Sequence, residues 1–160
     1  MKHSIKSIAL ALSLSLPLAF GGVAHADAPV TSAAAAVQSK SVITHIRTQD
    51  GLKLHLQKDI PQSKPKAIVV ISHGLASHSG VFGDFAKTMN ADGIGVYRFD
   101  HRGHGKSDGR DSIHINSYFE MVEDLRLGVQ KAKAEPPNTP IFGRGHSMGG
   151  HISALYGTKY

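Results

Sequence analysis

A short glycine-rich segment near the end of the 160-residue chain carries the residues best suited to chemistry. Gly145-His146-Ser147-Met148-Gly149 fits the pattern G-x-S-x-G, in which a serine lies on a sharp turn between a strand and a helix and acts as a nucleophile. Apolar residues precede and follow the segment, as that context requires. We therefore predict that Ser147 is a catalytic nucleophile. Gly145, His146 and Gly149 are predicted to shape the turn around it.

A serine nucleophile needs a base, and the base needs an acid that orients it. Where this motif occurs on an open α/β sheet, both partners follow the serine in the chain. Here thirteen residues follow Ser147, and His151 is the single histidine among them. Because His151 falls in the helix that the serine opens, we do not assign it as the base. We expect the triad acid and histidine to be absent from this chain.

A second polar loop, His73-Gly74-Leu75, follows an apolar run rich in β-branched residues. Attack on an ester places negative charge on oxygen, and two backbone N–H groups can stabilise that charge. We expect Leu75 and Met148 to supply these N–H groups and so to form the oxyanion hole. His73 is interpreted as a residue that orients the loop by hydrogen-bonding backbone, rather than as the base. Gly74 is expected to shape the same loop.

Three other patterns invite alternative chemistry, and each fails on spacing. His101-x-x-His104 lacks the accompanying ligands that a zinc site needs, so we expect no metal. A Gly-Lys-Ser tripeptide at 105–107 resembles the end of a phosphate-binding loop, but residue 100 is an aspartate where that loop needs glycine. The start of a dinucleotide fingerprint at 143–145 lacks its third glycine. We expect no cofactor, and for residues 100–109 a structural role, with substrate contacts as the alternative.

Hydrophobic patterning predicts the elements that position these loops. Alternation around Asp50-Gly51 indicates an antiparallel hairpin. Apolar runs at 67–72, at 94–99 and from 141 onward indicate three buried parallel strands. Helices are expected over 82–91, after a capping box formed by Ser117 and Glu120, and from the nucleophile through 156. This order predicts the α/β class, with a doubly wound, mostly parallel sheet and an N-terminal antiparallel hairpin.

The first residues have the layout of a secretory signal peptide. Two lysines precede an apolar stretch over 8–20, and Ala24-His25-Ala26 is a suitable cleavage site. The stretch is shorter than the about 20 residues that span a bilayer. We predict a signal peptide over 1–26 and export by the general secretory route to the periplasm or the extracellular space. A flexible leader is expected over 27–40, followed by the N-terminal part of the hydrolytic domain over 41–160.

Composition excludes several classes of function. The chain has no cysteine, which rules out its own disulfides, thiolate metal sites and a cysteine nucleophile. The formal net charge is +6, and the basic residues are spread along the chain rather than grouped in a block. We therefore predict no nucleic-acid partner. Composition leaves the oligomeric state open.

Three segments in order, HGLASHSG at 73–80, DHRGHGKSDG at 100–109 and GHSMGG at 145–150, resemble the signature loops of monoglyceride lipases and lysophospholipases. These enzymes are a branch of the α/β-hydrolases often grouped with serine aminopeptidases. The resemblance extends over 41–160. It implies an α/β-hydrolase fold, here truncated after the nucleophile helix, and ester hydrolysis on monoacylglycerols or lysophospholipids without metal or organic cofactor. It also implies transient contact with a membrane surface to reach the lipid.

The chain departs from this family in two respects. Gly143 and Arg144 replace two apolar residues before the elbow, so we expect the arginine to be paired or to reach solvent. The family's lid, acid and histidine all lie beyond its elbow. A catalytically inactive truncated remnant is therefore the alternative to a lipid esterase. A proline-releasing aminopeptidase or a general esterase of the same fold is a further alternative.

Overall fold

The hairpin and the three parallel strands form one five-stranded sheet. The computed structural model describes residues 39–109, 115–135 and 137–160. The strands are β1 (Ser39–Arg47), β2 (Lys53–Pro61), β3 (Ala67–Ser72), β4 (Ile94–Phe99) and β5 (Ile141–Gly145). The helices are α1 (Gly83–Ala91), α2 (Tyr118–Ala134) and α3 (Met148–Lys159), and a short 3-10 helix, Ser79–Phe82, leads into α1.

The strand order is β1-β2-β4-β3-β5, with β3 parallel to both β4 and β5. The β1–β2 pair is antiparallel, and β2 is also antiparallel to β4. The prediction of a mostly parallel sheet with an N-terminal hairpin is therefore confirmed. Strands β3 and β4 have the predicted bounds. β1 starts at Ser39, so residues 39 and 40 belong to the sheet and not to the predicted leader.

Both faces of the sheet are covered, because successive side chains of a buried strand point to opposite sides. Val70 and Tyr97 pack with residues of α2 and α3 in one core. Ile71 and Val96 pack in the other core, against Phe82 and α1. Helices on both faces make this a doubly wound α/β fold. The arrangement brings the C-terminal ends of β3, β4 and β5 to the same edge.

Strand β5 is not buried, contrary to the sequence prediction. It pairs with β3 and is the last strand of the described sheet. Phe142 is 58% exposed, and a Cβ added at Gly143 would meet nothing within 4 Å. Arg144 is exposed and places its guanidinium 4.4 Å from the centre of the Phe85 ring. The arginine thus reaches solvent, as expected, and its cation packs on an aromatic face.

The predicted capping box of α2 forms only in part. Ser117 accepts a hydrogen bond from the Phe119 N–H at 3.1 Å and caps the helix. Glu120 does not complete the box, because its carboxylate accepts a hydrogen bond from Arg102 at 3.2 Å. A cation on a neighbouring loop therefore replaces the backbone N–H as the partner of this glutamate.

Arg102 joins the loop after β4 to α2 and to the β1–β2 hairpin. Its guanidinium binds both oxygens of Asp124, at 2.7 and 2.9 Å. It also binds Asp50 at 3.1 Å. The Asp124 side chain is 1% exposed, so this carboxylate depends on Arg102 for its neutralisation. The ion pairs fix the loop that lies beside the end of β3.

We expect Arg102→Met to lower the free energy of unfolding by about 3–5 kcal/mol, because it leaves a buried carboxylate without its cation. Lys87→Met is the matched control. Its ion pair with Asp84 is almost fully solvated, with side chains 79% and 97% exposed, so its unfolding should match that of the wild type. Urea titrations of the three proteins measure the difference. Equal losses in the two variants would contradict this account of the loop.

The described residues contain no helix that is long and apolar enough to cross a membrane. The predicted signal peptide and most of the predicted leader lie outside the described residues. All described residues belong to one compact unit.

Candidate active site

Ser147 lies between β5 and α3, at the turn that the motif predicts. Its φ of 52° and ψ of −121° hold a non-glycine residue in a region of backbone space that costs of order 1–3 kcal/mol. The residue is exposed, and its hydroxyl makes no capping hydrogen bond to α3. The strained turn therefore leaves the hydroxyl accessible, as a nucleophile requires.

Close backbone packing against the end of β3 holds this strained turn. The Ser72 carbonyl accepts the His146 N–H at 3.0 Å. Gly149 lies so close to the same carbonyl that a Cβ on this residue would overlap it. A Cβ on Gly145 would in turn overlap the backbone of Gly149. Because only glycine fits at both positions, the elbow and β3 are locked together.

The loop after β3 touches the elbow at Gly74. A Cβ on Gly74 would lie 3.2 Å from the Ser147 Cβ, so little space separates the loop from Ser147. The Gly74 carbonyl accepts the Ser77 N–H at 3.3 Å, which closes a four-residue turn. Ala76 has a φ of 53°. A positive φ at the third position is the mark of a type II turn.

Two backbone N–H groups near Ser147 remain available. In the part of the chain that the structure describes, neither the Leu75 N–H nor the Met148 N–H donates a hydrogen bond. Met148 opens α3, so its N–H belongs to the positive end of the helix dipole. Leu75 directly follows the glycine that contacts the nucleophile. The structure thus brings together the two loops that carry the predicted oxyanion donors.

His73 is buried beneath its loop and bonds only backbone groups. Its Nδ1 lies 2.7 Å from the Gly74 carbonyl, and its Nε2 accepts the His101 N–H at 3.0 Å. Burial lowers the pKa of His73 from 6.5 to about 4. The side chain is 0% exposed and both ring nitrogens are engaged, so it has no free nitrogen to act as a base.

His101 and His104 pack their rings against that of His73. Their ring centroids lie 4.5 and 5.3 Å from that of His73. His101 Nε2 lies 2.9 Å from the Ser72 hydroxyl, and burial lowers the pKa of His101 well below 6.5. Among the described residues there is no group of three or more residues of metal-ligand type.

The loop over 100–109 is closed by its own hydrogen bonds. The Asp100 carboxylate accepts the Ser79 N–H at 2.6 Å and the Lys106 N–H at 2.8 Å. A Cβ on Gly105, which has a φ of 53°, would overlap that carboxylate. The Ser107 hydroxyl donates to the Asp100 carbonyl at 2.6 Å. These contacts give the loop the structural role expected from its sequence.

The described residues place no histidine on the Ser147 hydroxyl. His146 is exposed, with its ring 6.3 Å from that of Phe82. His151 is exposed on α3, with its ring 6.2 Å from that of Tyr118. The described residues thus bring the predicted nucleophile and the loops of the predicted oxyanion donors together, without a histidine on the Ser147 hydroxyl.

Sequence reasoning missed Ser72 and Asp100 as residues that organise the site. Ser72 is buried, with its carbonyl on the elbow and its hydroxyl on His101. Asp100 binds two segments of backbone that are distant in sequence. Their position at the C-terminal ends of β3 and β4 could have indicated this role, because functional residues of α/β sheets lie at such strand ends.

We expect Gly149→Ala to destabilise the protein by about 2–4 kcal/mol, because the new methyl group displaces backbone at the end of β3. Gly157→Ala is the matched control on the same helix. A Cβ at Gly157 meets nothing within 4 Å, so this change should stabilise by about 0.5–1 kcal/mol. Denaturant titrations measure both effects. A tolerated alanine at 149 would refute the close packing described here.

Buried neutral histidines make stability depend on pH. The unfolded chain binds a proton on His73 near pH 6.5, whereas the folded protein does so near pH 4. The contribution is therefore complete above about pH 6.5 and is lost as the pH falls toward 4, up to about 3 kcal/mol. Urea midpoints at pH 7.5, 6 and 5 should decrease in that order. His45→Asn, at an exposed histidine, should leave this dependence unchanged. A flat midpoint across this range would contradict the buried neutral state.

Sequence comparison finds relatives of this chain among hydrolases. Residues 63–160 match the hydrolase family described as serine aminopeptidase, S33. A monoacylglycerol lipase of Mycolicibacterium smegmatis is 42% identical over 100 residues, which cover 62% of this chain and 35% of the lipase. The human monoglyceride lipase is 33% identical over 113 residues, which cover 71% of this chain and 37% of that enzyme. The chain thus spans little more than a third of the length of these relatives.

Solved structures show the same fold. A thermostable carboxyl esterase from Bacillus coagulans superposes with a TM-score of 0.66 at 28% identity, over 74% of this chain and 40% of the esterase. Est1E from Butyrivibrio proteoclasticus, solved with ferulic acid, superposes with a TM-score of 0.64 at 31% identity, over 72% of this chain and 47% of that protein. The chain therefore belongs to the serine aminopeptidase S33 family and has the α/β-hydrolase fold.

Proposed function

We propose that this protein hydrolyses carboxylic esters of lipids, monoacylglycerols or lysophospholipids, through an acyl-enzyme on Ser147. The observation that carries the proposal is the strained, exposed serine beside the loops of Leu75 and Met148, whose backbone N–H groups donate no hydrogen bond among the described residues. Relatives named as monoglyceride lipases and neighbours named as esterases support the ester class. The chain spans little more than a third of the length of these relatives, so the activity of the whole protein is itself part of the proposal.

The reaction follows from the groups at the elbow. The Ser147 oxygen attacks the ester carbonyl while a base takes its proton, and the carbonyl oxygen becomes negative. The N–H groups of Leu75 and Met148 stabilise this oxygen, each by roughly 3 kcal/mol. The alcohol leaves with the proton, and water then releases the fatty acid from Ser147. We propose that the base and its acid lie outside the described residues.

Exposed apolar side chains on the loop after β3 and on α2 suit a lipid acyl chain. The Leu75 side chain, on the residue that carries one oxyanion donor, is 56% exposed. Tyr118 is 44% exposed and its ring contacts His151 on the nucleophile helix. Such exposed apolar side chains gain free energy when an acyl chain covers them. We propose export as well, which the predicted signal peptide supports, with transient contact at a lipid surface.

The family description favours an aminopeptidase as the second candidate. An aminopeptidase must hold the α-ammonium group of its substrate with a carboxylate. Asp100, which directly precedes His101, is a candidate for that carboxylate. Both of its oxygens, however, accept backbone N–H groups. It is also 1% exposed, so it is not free to bind an ammonium group. Asp100 is therefore excluded as that carboxylate, and the relatives named as lipases favour the ester substrate.

We expect Ser147→Ala to lower the turnover of a monoacylglycerol by roughly 10⁴-fold or more, because the nucleophile is lost. Ser63→Ala, at an exposed loop serine, is the control and should retain wild-type turnover. Assays with 2-oleoylglycerol, a lysophosphatidylcholine and a prolyl anilide compare the substrate classes. Undiminished hydrolysis by Ser147→Ala would contradict the assignment of Ser147 as the nucleophile. Release of the anilide alone would favour the aminopeptidase, and turnover of none of the three would favour the inactive remnant.

A further inference from the structure

Strand β1 forms one edge of the described sheet. Its nine residues, Ser39–Arg47, pair one to one with those of β2, so the strand contains no bulge. In the part of the chain that the structure describes, no strand lies on its other side. A free sheet edge presents N–H and C=O groups that a further strand can bind. The open side of β1 is therefore a candidate surface for strand addition.

The odd-numbered residues of β1 direct their backbone groups to this open side. In an antiparallel pair, two opposite residues either bond to each other or both point their N–H and C=O away, in alternation. His55 lies opposite His45. Its N–H donates to the Ser107 hydroxyl and its C=O accepts the Asp100 N–H, both at 2.9 Å, so both groups point away from β1. His45 and every second residue on either side of it therefore point away from β2.

This edge lacks the features that commonly protect a free strand. Such features include short length, a bulge, a proline and an inward-pointing charge. β1 has nine residues and no proline, and its lysine and arginine, Lys40 and Arg47, lie close to its ends. Its central residue, Ile43, is apolar and 60% exposed. At the opposite edge of the described sheet, β5 has five residues, of which two are glycines that weaken a strand. β1 is thus the edge better suited to pairing.

The sequence of β1 is complementary to itself in an antiparallel arrangement. Full-length pairing of two copies puts Ile43 opposite Ile43 of the second copy, because this residue is the middle one of the nine. Val42 then lies opposite Thr44. Lys40 and Arg47 both lie opposite uncharged residues. Opposite β-branched side chains stabilise a sheet and opposite like charges destabilise it, so this register has the favourable pairs without the repulsive ones.

We propose that two copies of this protein pair through the open side of β1, antiparallel and with a two-fold axis at Ile43. The odd-numbered residues of the two strands exchange backbone hydrogen bonds, which joins two five-stranded sheets into one. The dimer is weak, with a dissociation constant of roughly 10–100 μM, because a contact between two single strands is small for a specific interface. The pairing is independent of the proposed function.

A single introduced cysteine tests the register, because the chain has none of its own. Ile43→Cys places two thiols across the two-fold axis, on Cα atoms about 5.5 Å apart, within disulfide reach. Val42→Cys is the matched control, since its two copies lie diagonally at about 7–8 Å, beyond that reach. Phe142→Cys, on β5, reports pairing through the opposite edge.

We expect mild oxidation to give a covalent dimer of Ile43→Cys, and little of one from the other two variants. Non-reducing gels over time measure the yield at a protein concentration above the dissociation constant. No dimer of Ile43→Cys would overturn the proposal. Equal rates for Ile43→Cys and Val42→Cys, or a faster rate for Phe142→Cys, would overturn it as well.

A pair of opposite charges at the two-fold axis gives a second test, without any cross-link. Ile43→Lys brings two cations together there and Ile43→Glu brings two carboxylates together, so each variant repels its own copy. Because Ile43 is 60% exposed, both variants should keep the wild-type urea midpoint. We expect each variant alone to associate at least tenfold more weakly than the wild type. An equimolar mixture should regain the dimer, because opposite charges then meet.

Sedimentation velocity over a range of concentrations measures this association. A wild type that stays monomeric throughout, or a dimer that neither charge weakens, would overturn the proposal. A mixture no more associated than its components would overturn the two-fold axis at Ile43. Turnover enters none of these measurements, so a protein that hydrolyses no ester contradicts the proposed function alone.

Discussion

The carbonyl of Ser72, the last residue of β3, is the point on which the described structure depends. It accepts the N–H of His146 from the elbow and leaves no space for a side chain on Gly149. Two consequences follow from this one contact. α3 is held at a fixed height above the sheet, and Ser147 is forced into a positive φ that a serine would not adopt alone. Ser147 is thus placed by backbone packing rather than by its own side-chain bonds.

The residues around this contact form two layers. The inner layer consists of histidines that are buried and neutral, with His73 and His101 bonding the ends of β3 and β4. The outer layer consists of backbone N–H groups that have no partner among the described residues. Burying neutral imidazoles costs desolvation, which hydrogen bonds offset at both ring nitrogens of His73 and at Nε2 of His101, whereas His101 Nδ1 has no partner among the described residues. The buried histidines therefore support the loops whose N–H groups remain free to bind negative charge.

Local patterns in the sequence were sufficient for most of the fold. The Asp50-Gly51 turn and the apolar runs at 67–72 and 94–99 depend on neighbours in the chain, and all three predictions are confirmed. The exposure of β5 could not be predicted, because burial depends on which elements lie beside a strand. Arg144 shows the same limit. Its stacking on Phe85 joins residues 59 positions apart, which no local pattern reports.

The site was predictable where a motif fixes backbone shape and less so where distant side chains meet. The G-x-S-x-G spacing placed Ser147 correctly on the strand-to-helix turn, since the glycines are required by close packing. The contact of His73 with His101 could not be predicted, because the His101-x-x-His104 pattern does not indicate that the ring of a distant histidine packs against it. Glu120 is similar, since its expected role in the helix cap is taken over by a bond from Arg102.

Mass mapping after reaction with a fluorophosphonate tests the central assignment most directly. Trypsin releases residues 145–159 as one peptide, which contains both Ser147 and Ser153. We expect a single adduct on Ser147 and none in the Ser147→Ala variant, because Ser147 is the serine of the described residues that lies beside the predicted oxyanion donors. An unlabelled Ser147, or an adduct elsewhere that persists in the variant, would contradict the account.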